Sequence, residues 1–308
     1  VFSHPELGAA SLVDKLADLD PAVLVVRSTK VTADHIGAAP SLGLIIRAGA
    51  GVNTIDLETA SSRGVYVTNC PGKNACAVAE LTIGHLLNLD RRIADNVAVL
   101  RAGKWDKKRF GKARGLNGRT LAILGYGPIG FEVAVRAKAL GMRVKVWSID
   151  LTEERARQHA VERCETPEAA ASGADAVSVH LALVPETRGR VGKSIFDAMK
   201  AGAYFINTSR GEVVDQPELI RALDERGILA GLDVFADEPS GSEGEFSDAI
   251  AKHPNVFGTH HIGASTTEAT EAVGEEVVAI VAAYSAGRVI PNCVNLANHT
   301  EATHTLVV

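Results

Sequence analysis

The sequence is short of the features that mark secreted, membrane-spanning and nucleic-acid-binding chains. It holds four cysteines in 308 residues, Cys70, Cys76, Cys164 and Cys293, with no Cys-x-x-Cys pair and no spacing that suits a metal. Such a set reads as the reduced thiols of a cytoplasmic protein, not as a disulfide framework. Base is not in excess: 32 Lys and Arg face 37 Asp and Glu, a formal net charge of −5. That balance argues against nucleic acid or an anionic membrane surface as a partner. No apolar run approaches the length of a membrane span. The opening residues, Val1-Phe2-Ser3-His4-Pro5, show no basic segment leading into an apolar one, so no signal peptide is expected. They also lack a Met, so the native start is expected upstream. No internal repeat is visible.

What is present is an α/β rhythm. The hydrophobic fraction is 46%, ordinary for a globular chain of two domains. Short apolar runs at Ala22–Val26, Leu44–Ile46 and Val65–Thr68 read as strands. Helical patterns lie between them, at Ala33–Ala39, with Thr32 as cap, and at Asp56–Arg63. A long helical pattern begins near Ala75 and runs toward Leu100, with a break expected near Leu89–Arg91. The basic run Lys107–Arg114 reads as a solvated surface loop or a contact between subunits. Thr120–Gly130 follows, four apolar residues running into Gly125-x-Gly127-x-x-Gly130. A helix over Phe131–Leu140, a stop at Gly141 and a strand over Arg143–Trp147 complete the unit. Strand, glycine turn, helix, strand is the context in which such glycines bind a dinucleotide. Gly125 makes the tight turn, Gly127 lets backbone approach a pyrophosphate, and Gly130 lets helix pack on strand. The pyrophosphate is expected at the positive end of the helix. Further strands are expected at Ala176–Val179, Tyr204–Asn207, Leu229–Val234 and Val256–Thr259. Helices are expected at Lys193–Met199, from the cap Asp215 to Arg226, and at Thr266–Ala286. The expected fold is α/β: two Rossmann-like or flavodoxin-like domains with parallel sheets and an interdomain cleft.

Ligands of open parallel sheets bind beyond the carboxyl ends of the strands, and three strand ends here carry reactive residue types. Asn207-Thr208-Ser209-Arg210-Gly211 offers a guanidinium whose planar fork suits a carboxylate. Asp233–Pro239 offers Glu238, a candidate partner for a histidine. Thr259–Ser265 offers the tandem His260-His261. A cation for a carboxylate, a proton donor and a carboxylate to tune that donor are what hydride transfer to a 2-oxo acid requires. Metal is not expected, because no Cys or carboxylate flanks the histidines at ligand spacing.

In this order the motifs Gly125–Gly130, Asn207–Gly211, Leu232–Pro239 and His261–Ala269 resemble the D-isomer-specific 2-hydroxyacid dehydrogenase family over nearly the whole chain. Within it the sequence is most similar to D-3-phosphoglycerate dehydrogenases. That likeness rests on Val26–Thr32, Arg47–Val52, Ala79–Thr82, Gly103-Lys104-Trp105 and Leu116-Asn117-Gly118. The resemblance implies a substrate domain of residues 1–74 and 265–308 and a dinucleotide domain of residues 75–264. It implies Arg210 on the substrate carboxylate, His261 as general acid and base, and Glu238 holding it. The amides of Gly49 and Ala50 would meet the substrate carboxylate, and Arg27 its distal group, with Lys30 and Lys73 as further phosphate candidates. NAD would lie along Gly125, Gly127, Pro128, Ile129 and Gly130, with Leu181 by the adenosine. Ala50, Thr208, Ser209, Arg210, Asp233, His261, Gly263 and Ala264 would line the nicotinamide end.

The sequence departs from the family pattern in places. Pro128 stands where an arginine is common. Asn53-Thr54 replaces Asp-Asn, and His260 replaces a proline, which leaves His261 as the acting histidine. Ser148 occupies the usual acid position for the ribose hydroxyls, with Asp150 as a substitute two residues on. The cofactor is therefore expected to be NAD, with NADP admitted by Ser148. The implied activity is oxidation of 3-phosphoglycerate to 3-phosphooxypyruvate in serine biosynthesis, by a cytoplasmic homodimer. Reduction of hydroxypyruvate or glyoxylate is the alternative substrate reading. A dinucleotide-sensing corepressor-like binding protein is the alternative of another class. Because the sequence stops soon after Pro291–Asn295, feedback through an added serine-binding domain is not expected.

Overall fold

The computed structural model describes residues 9–239 and 243–296. The chain divides into two compact units, one of residues up to Asn74 together with those from Thr270 onward, the other Ala75–Ala269.

The first unit opens with α1 (Ala9–Leu19), β1 (Val23–Val26), α2 (Ala33–Ala38), β2 (Leu44–Arg47), α3 (Leu57–Ser62) and β3 (Tyr66–Asn69). The strands form a parallel sheet in the order β1-β2-β3. Alternation along β2 divides the core in two. Ile45 faces one layer with Val26, Ile36, Leu42 and Val67. Leu44 and Ile46 face the other, which is covered by Val273, Val277 and Ile280 of the C-terminal helix Thr267–Ser285. A central strand buried on both faces reads as a continuous apolar run, as Leu-Ile-Ile does here.

The second unit follows as α4 (Ala75–Arg91), α5 (Ile93–Arg101), α6 (Lys107–Phe110), β4 (Thr120–Leu124), α7 (Pro128–Ala139), β5 (Arg143–Trp147), α8 (Glu153–Gln158), β6 (Glu162–Arg163), α9 (Pro167–Ala171), β7 (Ala176–Val179), α10 (Lys193–Ala198), β8 (Tyr204–Asn207), α11 (Gln216–Glu225), β9 (Leu229–Leu232) and β10 (Val256–Gly258). All seven strands are parallel, in the order β10-β9-β8-β7-β4-β5-β6. The order reverses between β4 and β7, the switch point at which such sheets take their ligands. All five residues of β4 are buried. Ala122 and Leu124 pack in one layer with Val177, Val179 and Phe205. Leu121 and Ile123 pack in the other with Val133, Ala137 and Ile206. Each Leu or Ile so buried stabilises the fold by about 1.5–3 kcal/mol.

The amino ends of these strands are pinned by polar groups. The buried Asp90 carboxylate accepts the Tyr204 hydroxyl at 3.0 Å and the Gly115 N–H at 3.1 Å. Arg119 lies 3.6 Å from Asp90 and 3.5 Å from Asp175, and Asp175 accepts the Thr120 N–H at 2.9 Å.

The long helix breaks next to the stretch expected, at Arg92, whose φ of 52° is left-handed, so α4 and α5 are separate. Two stretches differ from the expectation. The basic run is exposed, and it begins as the one-turn α6, capped by the Asp106 carboxylate on the Arg109 N–H. Residues 148–175 hold α8, β6 and α9, none of which periodicity indicates. Both helices are started by a threonine cap, Thr152 and Thr166, and β6 is a two-residue edge strand with no apolar pattern to reveal it.

Candidate active site

The glycine turn joins β4 to α7. Gly125 has a φ of +97°, and a Cβ there would lie 2.5 Å from the His180 carbonyl oxygen. A Cβ on Gly130 would lie 2.2 Å from the Gly125 carbonyl oxygen, so packing of the helix against the turn forbids one. Gly127 is different. Its φ is an ordinary −75°, and a Cβ would meet nothing within 4 Å. The fold therefore gives no reason for glycine at 127, while a ligand laid against the backbone does. Pro128 opens α7 and brings no N–H, which leaves the amides of Ile129 and Gly130 unpaired in the first turn. The residues present thus fit a pyrophosphate. Leu181 packs beside the turn, 3.1 Å from the Gly125 Cβ position. At the end of β5, Ser148 is half-buried and Asp150 exposed.

The loop after β8 is organised by Asn207. Its amide oxygen accepts the Ser209 N–H at 3.0 Å and the Ser209 hydroxyl at 2.8 Å, and its Nδ2 donates to the Arg210 carbonyl at 2.8 Å. Thr208 sits over α4. Thr82 Oγ1 already donates to the Val78 carbonyl, so Thr208 is the donor in the 3.0 Å contact between the two hydroxyls. Arg210 is half-buried. Burial lowers its pKa, against the opposing pull of Glu212 and Glu238. A Cβ on Gly211 would lie 2.1 Å from the backbone of Phe235, so this glycine lets the loops after β8 and β9 touch.

The loop after β10 is organised by Asp233. The buried Asp233 carboxylate accepts the N–H of Ile262 at 2.9 Å and of Gly263 at 2.8 Å, and the Thr259 hydroxyl at 2.6 Å. Its carbonyl accepts the His261 N–H at 2.8 Å. Behind Thr259, His85 Nε2 lies 3.1 Å from the hydroxyl, and burial holds that imidazole below its ordinary pKa. Within this bonded loop His261 takes a left-handed φ of 51°, a conformation uncommon outside glycine. The His261 side chain stays 47% exposed, and its Nδ1 lies 2.7 Å from Glu238 Oε2. The other Glu238 oxygen accepts the Phe235 N–H at 2.9 Å. Burial alone would raise the Glu238 pKa. The hydrogen bonds with His261 and Phe235 and the charge of Arg210 outweigh it and hold the carboxyl below its ordinary value. Within this unit a half-buried guanidinium, an ionised carboxylate and an exposed imidazole whose Nε2 has no partner among the described residues are thus electrostatically linked. Ala264 is half-buried on the same loop, and His260 is exposed.

The candidates in the first unit stand apart by kind. Arg27 and Lys30 are exposed on the loop after β1. Lys73 is ion-paired with Glu276 at 3.0 Å, which satisfies the charge proposed for a phosphate. Gly49 donates its N–H to the Arg47 carbonyl at 2.8 Å, closing a three-residue turn, so that amide is committed. The Ala50 N–H has no backbone acceptor among the described residues, while its carbonyl accepts Asn69 Nδ2 at 2.6 Å.

Residues 83–263 match the model of "D-isomer specific 2-hydroxyacid dehydrogenase, NAD binding domain". The chain belongs to the D-isomer specific 2-hydroxyacid dehydrogenase family. Among curated members, it is 39% identical to D-3-phosphoglycerate dehydrogenase of Rattus norvegicus over 305 residues, 98% of this chain and 55% of that one. It is 38% identical to glyoxylate reductase of Thermococcus litoralis over 291 residues, 92% of this chain and 86% of that one. It superposes on the crystal structure of D-lactate dehydrogenase from Aquifex aeolicus, complexed with NAD and lactic acid, at a TM-score of 0.81 and 29% identity, covering 93% of this chain and 90% of that one. The chain spans about half the length of the D-3-phosphoglycerate dehydrogenases it matches. The family's NAD-binding domain and its Rossmann-like parallel sheet therefore account for the glycine turn. Asn207, Thr82 and His85, which hold the reactive loops from behind, were given no role from sequence. Asn207 and Thr82 lie inside motifs, but nothing in the sequence joins Thr82 or His85 to strand ends more than a hundred residues away.

Proposed function

We propose that this dehydrogenase oxidises D-3-phosphoglycerate with NAD, the entry step of serine biosynthesis. The observation that carries the reading is the 2.7 Å pair of His261 and Glu238 on a loop that Asp233 locks in place. Bound NAD supplies the hydride acceptor. His261 takes the hydroxyl proton at Nε2, the edge that Glu238 leaves free, while its Nδ1–H stays on the carboxylate. A Glu238 held ionised stabilises the imidazolium that results. Arg210, half-buried and with one guanidinium nitrogen held by the Ser209 carbonyl at 2.7 Å, grips the substrate carboxylate with its remaining donors. Thr208, Ser209 and Asp233, whose Oδ2 keeps a lone pair beyond Gly263, face the nicotinamide end. Ala50 supplies an amide to the substrate and Arg27 a cation to its phosphate.

The choice of 3-phosphoglycerate follows the names of the curated relatives and the exposed Arg27. Glyoxylate or hydroxypyruvate is the second reading, favoured by the relative that is named a glyoxylate reductase. A panel of the three acids with NAD, read at the nicotinamide absorbance band, separates them. The highest kcat/KM on 3-phosphoglycerate supports the proposal, and turnover confined to glyoxylate refutes it. Cofactor binding with no turnover on any acid would make the chain a sensing module.

We also read the chain as a cytoplasmic homodimer. Its four cysteines are unpaired. No residue of α5 is buried, and Ile93, Val97 and Leu100 form one exposed apolar face. The basic run beside it suits a second copy of a chain whose net charge is −5.

A further inference from the structure

The carboxylate that pairs with His261 stands on a loop exposed throughout, Ala236-Asp237-Glu238-Pro239. One oxygen of Glu238 meets His261 Nδ1 at 2.7 Å, and the other accepts the Phe235 N–H at 2.9 Å. The place of the carboxylate therefore follows from the place of Phe235. That residue is held at its backbone and at its ring. A Cβ on Gly211 would come within 2.1 Å of the Phe235 carbonyl carbon, so the two loops touch there. The ring packs on the core layer that holds Leu232 and Ile250, and a Cβ on Gly258 of β10 would lie 3.1 Å from its Cζ. Phe246 meets the same ring, with centroids 5.0 Å apart and planes crossing at 61°, the edge-to-face arrangement that aromatic pairs favour.

Phe246 belongs to a segment that is otherwise polar or small. Glu243, Gly244, Glu245 and Ser247 are exposed, while Phe246 is half-buried. Asp248 fixes this segment two residues on. Its carboxylate accepts Gln216 Nε2 at 3.0 and 3.2 Å and the Ile250 N–H at 3.0 Å. A Cβ on Gly244 would lie 3.5 Å from Pro239 Cβ, so the segment also returns over the residue that follows Glu238. Phe246 and Gly244 thus reach the residues on either side of the exposed turn that carries the carboxylate.

We propose that Phe246 is a positioning residue: its ring, crossed on Phe235, holds the Glu238 carboxylate against His261 Nδ1. The proposal rests on the dehydrogenase reading above and adds a residue that no motif contains. An ionised carboxylate only accepts hydrogen bonds, so the pair keeps the imidazole proton on Nδ1 and leaves Nε2 as the basic edge. A displaced carboxylate releases that choice of tautomer.

Two readouts test this, one of them free of turnover. In the chain labelled with 15N-histidine, NMR at alkaline pH reports which ring nitrogen of His261 carries the proton. His261→Asn identifies its signals among the ten histidines. The unaltered chain is expected to hold the proton on Nδ1. Phe246→Ala is expected to shift it toward Nε2, and Phe246→Tyr, which keeps a ring in place, to retain it on Nδ1. In steady-state assays Phe246→Ala is expected to lower kcat about fivefold, with NADH affinity kept within twofold. Phe246→Tyr is expected to stay within twofold of the unaltered kcat. Added to Glu238→Gln, Phe246→Ala is expected to lower kcat less than twofold further, because the two act through one contact. An unchanged tautomer in Phe246→Ala overturns the proposal. So does an equal loss of kcat in both backgrounds, which would make Phe246 a packing residue only. If the unaltered chain turns over none of the acids, the dehydrogenase reading falls, and the tautomer still decides whether Phe246 positions Glu238.

Discussion

In the proposed reaction His261 carries the proton, and its backbone is held in a left-handed conformation. A β-carbon at φ 51° costs on the order of 1 kcal/mol, offset by the bonds that Asp233 makes to the two following amides. Asp233→Asn would turn an amide N–H toward those donors. The expected loss is about 1–3 kcal/mol, seen as a fall in Tm, with kcat falling as His261 loosens. An unchanged Tm would show that the carboxylate does not hold the loop. Glu238→Gln keeps an acceptor at His261 Nδ1 but removes the charge. It is expected to lower kcat at least tenfold while leaving NADH affinity within twofold; unchanged kcat at all pH values would remove Glu238 from the mechanism. Arg210, Glu238 and His261 were legible in the sequence because each closes an apolar strand. The chain His85–Thr259–Asp233 was not, because its members lie on a helix and two strand ends that only the fold brings together.

At the scale of elements, the glycine turn separates what the fold needs from what a ligand needs. Gly130→Ala places a methyl 2.2 Å from a backbone carbonyl that cannot yield. It is expected to destabilise the second unit by roughly 1–3 kcal/mol. Gly127→Ala meets open space at an ordinary φ. It is expected to leave thermal unfolding unchanged and to weaken NADH binding at least tenfold. If Gly127→Ala bound NADH normally, backbone approach at 127 would not be part of the site. The turn was readable because strand, glycines and helix are contiguous. Residues 148–175 were not, since α8 and α9 are helices of six and five residues set by threonine caps, too short to show a period, and β6 pairs only at the sheet's edge.

For the molecule as a whole, one buried group couples stability to acid. His180, at the end of β7, has its Nδ1 sealed from solvent without a partner, and its Nε2 lies 2.8 Å from Ser178 Oγ. Burial lowers its pKa from 6.5 to about 3. The sign follows from proton uptake. Above pH 6.5 both folded and unfolded chains hold His180 neutral, and its contribution is complete. As pH falls from 6.5 toward about 3 only the unfolded chain binds the proton, so stability drains away, and below about 3 the loss stops growing. His180→Asn is expected to flatten the fall in Tm between pH 6.5 and 4 relative to the unaltered chain. An equally steep fall would show that His180 is not the group responsible. Sedimentation tests the dimer, with Val97→Glu expected to yield monomers.

The most direct measurement is the steady-state rate of NADH formation from D-3-phosphoglycerate and NAD, taken with the unaltered chain and with His261→Ala. The account predicts turnover by the first and a 10²–10⁴-fold lower kcat for the second, with NADH affinity kept within twofold. Comparable kcat values for the two would contradict it.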